Sequence, residues 1–237
     1  MNTTAKTISV ISVFSVAMAA LESAVVVYLR ALYYPEGFTV AFKIIDEKIL
    51  LIELMREAAT VLMLLSVGFL AGKDLKSRMA YFLLSFAVWD IFYYGWLKVF
   101  INWPLSLFEW DILFLIPFTW LGPVLAPIIC SVTMILLAMA LLFNDRDLTV
   151  TGWSLLLSGC ALILYTFMAD YGTLIIGNGF LSDYATLIRN EDFLSVASAY
   201  TPAPFNWTVF GIGELLLLAG IFSLAGRRFP MLSNKAA

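Results

Sequence analysis

The chain has 237 residues and no histidine. That absence removes His-ligated haem, copper and zinc, and with them every Ser or Cys nucleophile paired to an imidazole. Cysteine is scarce: Cys130 and Cys160 both lie inside apolar runs, which is neither a secreted disulfide framework nor a CxxC motif. They read as small packing residues at similar depth on consecutive helices. Charge is scarce as well, at 13% of residues, with 14 Lys and Arg against 17 Asp and Glu. A net charge of −3 with so few cations excludes a nucleic-acid binder, and the high apolar content excludes disorder.

What fills the chain instead is apolar: 62% of residues are hydrophobic and the mean hydropathy is +0.94. A soluble domain carries roughly 45–50% apolar and about 25% charged residues. The composition leaves no room for a sizeable soluble domain. The expected fold is all-α, one polytopic transmembrane bundle over residues 1–237 whose first partner is the lipid bilayer.

A spanning helix needs about 20 mostly apolar residues. Six windows meet this: Thr7–Leu29, Ile49–Ala71, Met79–Ile101, Leu121–Phe143, Thr149–Asp170 and Trp207–Gly226. Lys6 ahead of the first apolar run resembles a signal peptide, but apolar sequence continues through Val25–Val27 to full spanning length. A retained helix is expected. With the N-terminus in the cytoplasm, that side holds Lys6, Lys73, Lys76, Arg78, Arg146, Arg227, Arg228 and Lys235. The other side has Arg30, Lys43, Lys48, Lys98 and Arg189, with most of the extramembrane acids. This positive-inside bias places both termini in the cytoplasm. Short loops suggest a bacterial inner membrane.

The cytoplasmic connections GKDLKSR (72–78) and NDRDL (144–148) are short and join antiparallel neighbours. The outer ones are longer. Residues 30–48 contain a turn signal at Pro35-Glu36-Gly37, and 171–206 hold two short amphipathic stretches with a break at Pro202 and Pro204. Residues 102–120 are too apolar for a free loop and are broken by Pro104 and Pro117. They are expected to form an interfacial or re-entrant helix before the fourth span, at a depth where irregular backbone needs cover from protein or a water-filled cavity.

The informative residues are ionisable groups inside spans: Glu22 in the first, Glu53, Arg56 and Glu57 in the second, Asp90 in the third and Glu214 in the sixth. At 1.5 Å of rise per residue, Glu22, Arg56, Glu57 and Glu214 fall about 10–12 Å below the outer boundary, with Asp90 a turn deeper. Glu53, Arg56, Glu57 and Thr60 follow i, i+3, i+4, i+7 and share one helix face. Ser12, Ser15, Ala19 and Glu22 form a small-residue stripe suited to close helix approach. Asp90 shares its face with Tyr93, Tyr94 and Lys98. Lys98 reads as a snorkelling residue, while Asp111, Glu109 and Asp170 sit near the outer mouth.

Ionised together, Glu22, Glu53, Glu57, Asp90 and Glu214 around Arg56 would carry a formal −4 in a low-dielectric place. Each charge at the bilayer centre costs roughly 2.5–3.5 kcal/mol on insertion scales. Arg56 can pair with one carboxylate and bridge to a second, not neutralise five. Some acids must hold a proton, a cation must sit among them, or a vestibule must admit water. Three function classes follow. The leading expectation is a cation-handling protein, since carboxylates without thiolate or imidazole suit protons and hard metal ions; Glu22, Glu53, Glu57, Asp90 and Glu214 are the candidate metal ligands. The second is a non-catalytic subunit of a membrane complex or homo-oligomer, docked through its aromatic outer segments. The third is an intramembrane enzyme at the outer leaflet, although no DDxxD, GxSxG or HExxH motif is present.

Overall fold

The computed structural model describes residues 3–35, 37–38, 46–117, 119–181 and 190–225. Lys43, Arg189, Arg227, Arg228 and Lys235 of the charge balance, Glu36 of the turn signal and Gly226 of the last span lie outside the described residues, as does the 182–189 part of the 171–206 connection. The architecture is a helix bundle with one small hairpin. Its elements are α1 (Thr3–Tyr33), α2 (Glu47–Ala71), α3 (Leu75–Ile101), β1 (Trp110–Phe114), β2 (Trp120–Pro123), α4 (Leu125–Phe143), α5 (Val150–Gly177), α6 (Glu191–Ser198) and α7 (Trp207–Ala225). Among the described residues, α1, α3, α4, α5 and α7 are long and apolar enough to cross a membrane, the make-up of an integral membrane protein. The remaining expected span, α2, has the length for it at 25 residues and carries Glu53, Arg56 and Glu57 in its first half.

Local chemistry sets the helix starts. Asp74 accepts from the Ser77 backbone N–H, and the Ser77 hydroxyl accepts from the Asp74 backbone N–H, so a capping box opens α3. The Ser77 backbone bond holds the exposed Asp74 carboxyl below the usual carboxylate range. Thr149 caps α5 through the Gly152 N–H, and Asn190 caps α6 through the Phe193 N–H.

Small residues decide which helices touch. α1 lies on α3 through Ser15, Ala19 and Ser23, all fully buried, and Ser23 Oγ donates to the Tyr93 carbonyl at 2.9 Å. α2 meets α3 at Gly68, where an added Cβ would stand 2.7 Å from the Arg78 carbonyl and 2.8 Å from Phe82. α5 and α7 pack through matched glycines seven residues apart, Gly152 and Gly159 on one helix, Gly213 and Gly220 on the other. This is close small-residue packing of the kind that brings helices together in lipid. α4 bridges the two halves by packing on α3 and α7.

Residues 102–120 are not an interfacial or re-entrant helix. β1 pairs antiparallel with β2 in the register Trp110↔Pro123, Asp111↔Gly122, Ile112↔Leu121 and Phe114↔Trp120. Pro104, Pro117 and Pro123 lack the N–H that a helix ladder needs, whereas Trp, Ile and Phe suit a pleated surface. The fourth span accordingly starts at Leu125, since 120–123 belong to β2.

The glycine faces yield a direct test. An alanine Cβ at 159 would lie 2.7 Å from the Gly213 carbonyl, which is backbone and cannot rotate away. Gly159→Ala is expected to cost about 1–3 kcal/mol by overpacking α5 on α7. Gly211→Ala, where nothing lies within 4 Å, should be neutral or slightly stabilising. Unfolding of the purified protein in detergent measures both.

Candidate functional site

One cavity of about 420 Å³ gathers most of the expected residues. Its lining includes Glu22 from α1, Glu53, Arg56, Glu57 and Thr60 from α2, and Asp90, Tyr93 and Tyr94 from α3. Asp111 and Phe114 from β1, Trp120 from β2, Cys130 from α4, and Cys160 and Phe167 from α5 complete its main walls. The volume falls within the range of small-molecule sites.

The α2 face works as its spacing requires. Arg56 Nε donates to Glu53 Oε2 at 2.8 Å, one turn back on the same helix. The Arg56 guanidinium also pairs with Glu22 across the α1–α2 gap. Thr60 Oγ1 donates to the second Glu22 oxygen at 3.1 Å, so α1 and α2 are joined by two polar links at one level. Glu57 turns to the hairpin and accepts from the Leu115 backbone N–H at 2.9 Å. Ten residues separate Glu57 from the start of α2, which puts this contact about 15 Å along the helix.

Asp111 is buried rather than at a mouth, 2% exposed, and accepts from Arg30 Nη2 at 3.0 Å. The Arg30 carbon Cζ lies 4.0 Å from the Phe38 ring centroid and 3.7 Å from that of Trp103, so two aromatic faces share the cation with the carboxylate. Asp90 accepts from Ser131 Oγ at 2.7 Å across the α3–α4 contact. Sequence reasoning counted Arg30 only as an outer-side cation. The remaining signal was its position at the outer end of a span, one turn before the Tyr33-Tyr34 pair, and that does not single it out.

Other expected members stand elsewhere. Glu214 accepts from Thr133 Oγ1 at 2.6 Å between α7 and α4 and is not part of the cavity lining. Lys98 donates to the Pro104 carbonyl at 2.9 Å and closes the end of α3. Glu109 accepts from the Leu105 N–H at 3.0 Å within the loop before β1. Asp170 lies in a separate pocket of about 180 Å³, bonded to the Tyr200 hydroxyl and to the Ala203 N–H at 3.2 Å. Burial and the neighbouring Asp170 push the Tyr200 hydroxyl above the ordinary phenol range. Among the described residues, no group of three or more Cys, Asp or Glu converges as a metal site.

Chemically, the cavity combines fixed opposite charges with a broad aromatic wall. It can hold a charge against a carboxylate, exchange a proton at Glu57 or Asp90, or seat a flat apolar group. No protein-family model, curated protein or solved structure matches the chain.

The Arg30–Asp111 pair is open to a double-mutant cycle. Both partners are buried, at 8% and 2% exposure, so Arg30→Gln leaves a carboxylate without its cation. A loss of about 3–5 kcal/mol is expected for the single variant. Arg30→Gln with Asp111→Asn should recover most of it, as measured by thermal unfolding in detergent.

Proposed function

We propose that this chain is a six-span inner-membrane protein, both termini cytoplasmic, that binds a cation at its cavity carboxylates, the proton foremost. The observation that supports this is the unequal pairing of charges around one cavity. Arg56 is shared by Glu22 and Glu53, and Arg30 is taken by Asp111. Glu57 and Asp90 are held by neutral donors, the Leu115 N–H and the Ser131 hydroxyl. A carboxylate in an apolar cavity held only by neutral donors gains most from a proton or a weakly held monovalent cation. Calcium asks for six to eight oxygen ligands, which this spacing does not offer.

A docking role in a larger complex is the second reading. It is favoured by Leu105, Leu107 and Phe108, which stand exposed beyond the end of α3. This reading leaves the unequal pairing without a purpose.

Thermal melts separate the two. A carboxyl that keeps its proton in the folded protein contributes stability at low pH and loses it as pH rises. The parent's midpoint should therefore fall between pH 5 and pH 8, by an amount set by about 1.4 kcal/mol per unit of pH for each group involved. Added Na⁺, if it takes the proton's place, should restore the midpoint at pH 8. Glu57→Gln should flatten the response while leaving the fold intact, because the amide keeps the shape and the Leu115 contact. A parent that responds to neither pH nor any of Na⁺, Ca²⁺ and Mn²⁺ would retire the cation reading in favour of docking.

A further inference from the structure

Asp90 is set differently from the other acids of the cavity. Phe86, Asp90 and Tyr93 follow i, i+4, i+7 on α3, so the carboxylate stands between two rings on one helix face. All three line the cavity, and all three are half-buried. Side chains three or four apart on a helix have Cβ atoms about 5–6 Å apart, so Asp90 has a ring as neighbour on either side. Phe114 of β1 extends this surface, its ring stacked on Phe86 at 6.4 Å and 18°. Asp90 Oδ2 accepts from Ser131. Among the described residues its Oδ1 meets no donor, and it is not shielded as Asp111 Oδ2 and Glu214 Oε1 are. α3 is packed by α1, α2 and α4, so the surface that Asp90 keeps is turned to the cavity it lines.

Charge and size then narrow what can sit there. The lining holds five acids and two guanidiniums, and both guanidiniums are already paired, Arg30 with Asp111 and Arg56 with Glu22 and Glu53. Asp90 has no ion pair among the described residues. At about 420 Å³ the cavity is far larger than a proton or one metal ion requires. It is also elongated: along α1 its lining runs from Glu22 to Tyr34, about 18 Å of helix, and on α2 it reaches Ile49 in the first turn. The space thus extends from the acids to the ends of these two helices.

We propose that the cavity binds an apolar organic ammonium, its positive nitrogen beside Asp90 and its apolar groups against Phe86, Tyr93 and Phe114. The alternatives each leave part of the cavity unused or opposed. An anion would face five acids against two spent guanidiniums. A neutral apolar molecule would leave the Asp90 charge without a partner. A small inorganic cation would meet the carboxylate but fill little of the space and gain nothing from apolar walls. A substituted ammonium carries its charge on a weakly hydrated, apolar surface, which suits a carboxylate flanked by rings in an otherwise apolar pocket. The proposal rests on the cation reading in one respect, an Asp90 that gives up its proton inside a negative cavity, and adds the class of ligand that takes the proton's place.

The experiment is equilibrium binding of radiolabelled benzyltrimethylammonium at pH 8 to the full chain in nanodiscs of phosphatidylcholine, a lipid without net charge. Unlabelled benzyl alcohol, a ring without the charge, is the competitor. Saturable binding that benzyl alcohol does not displace is expected. Asp90→Asn keeps the shape and an acceptor for Ser131, and should weaken binding about tenfold or more. Phe86→Leu keeps an apolar side chain and removes the ring, and should weaken it about three- to tenfold. Absence of saturable binding, displacement by benzyl alcohol, or full affinity in a folded Asp90→Asn would each overturn the proposal. The binding result on the parent decides even where a variant does not fold. A parent whose melting midpoint depends on pH but which binds no ammonium would retire this proposal and leave the cation reading standing. A flat midpoint together with Asp90-dependent binding would do the reverse.

Discussion

A charge in an apolar bundle must find a partner, and that requirement explains contacts that packing alone does not make. α1 and α2 each lie against α3 through small residues and touch one another little. What joins them is Arg56 with Glu22, together with the Thr60 hydroxyl on the same carboxylate. The hairpin is fixed the same way, by Arg30 to Asp111 from α1 and by Glu57 to the Leu115 N–H from α2. The cavity is the space these links enclose. Removing the polar network would leave helices packed in pairs with no closed wall between them.

How much of this the sequence disclosed depends on the kind of information each feature requires. The α2 face was legible because i, i+3, i+4, i+7 spacing fixes direction on a single helix. Position along each helix was legible too, since rise per residue is constant. Glu22 and Arg56 do meet, while Glu57 turns to the hairpin. Depth does not give azimuth around the bundle, however. Glu214, expected at the level of Glu57, bonds Thr133 on α4, and α7 is held against α5 by its glycines. Arg30 and Asp111 are 81 positions apart. Their meeting depends on the hairpin, and no local pattern on either side announces it.

The hairpin was the largest departure from expectation, and its cause is local. Apolar content and position between spans suggest a helix, with Pro104 and Pro117 as its breaks. Prolines that break a helix are equally at home flanking and turning short strands. Once the segment is extended, alternate residues face opposite ways. Asp111 then reaches Arg30 while Trp110 packs against Phe205. The start of the turn lies where Glu57 can accept a backbone N–H that the two-stranded ladder leaves over. The irregular backbone is thereby covered by protein, which is the condition for its presence beside apolar helices.

Two packing regimes coexist, and their boundary locates the cavity. Where glycine meets glycine, as between α5 and α7, helices approach until no side chain fits between them. Where large rings stand between elements, as along Phe86, Phe114, Trp120 and Phe167, the elements are held apart and the rings become a wall. The ion pairs close the α1 and α2 side of that space. The glycines of α5 face α7, and the charged face of α2 is spent on α1 and the hairpin. The cavity therefore lies where ring packing takes over from glycine packing, with the ion pairs of α1 and α2 on its border.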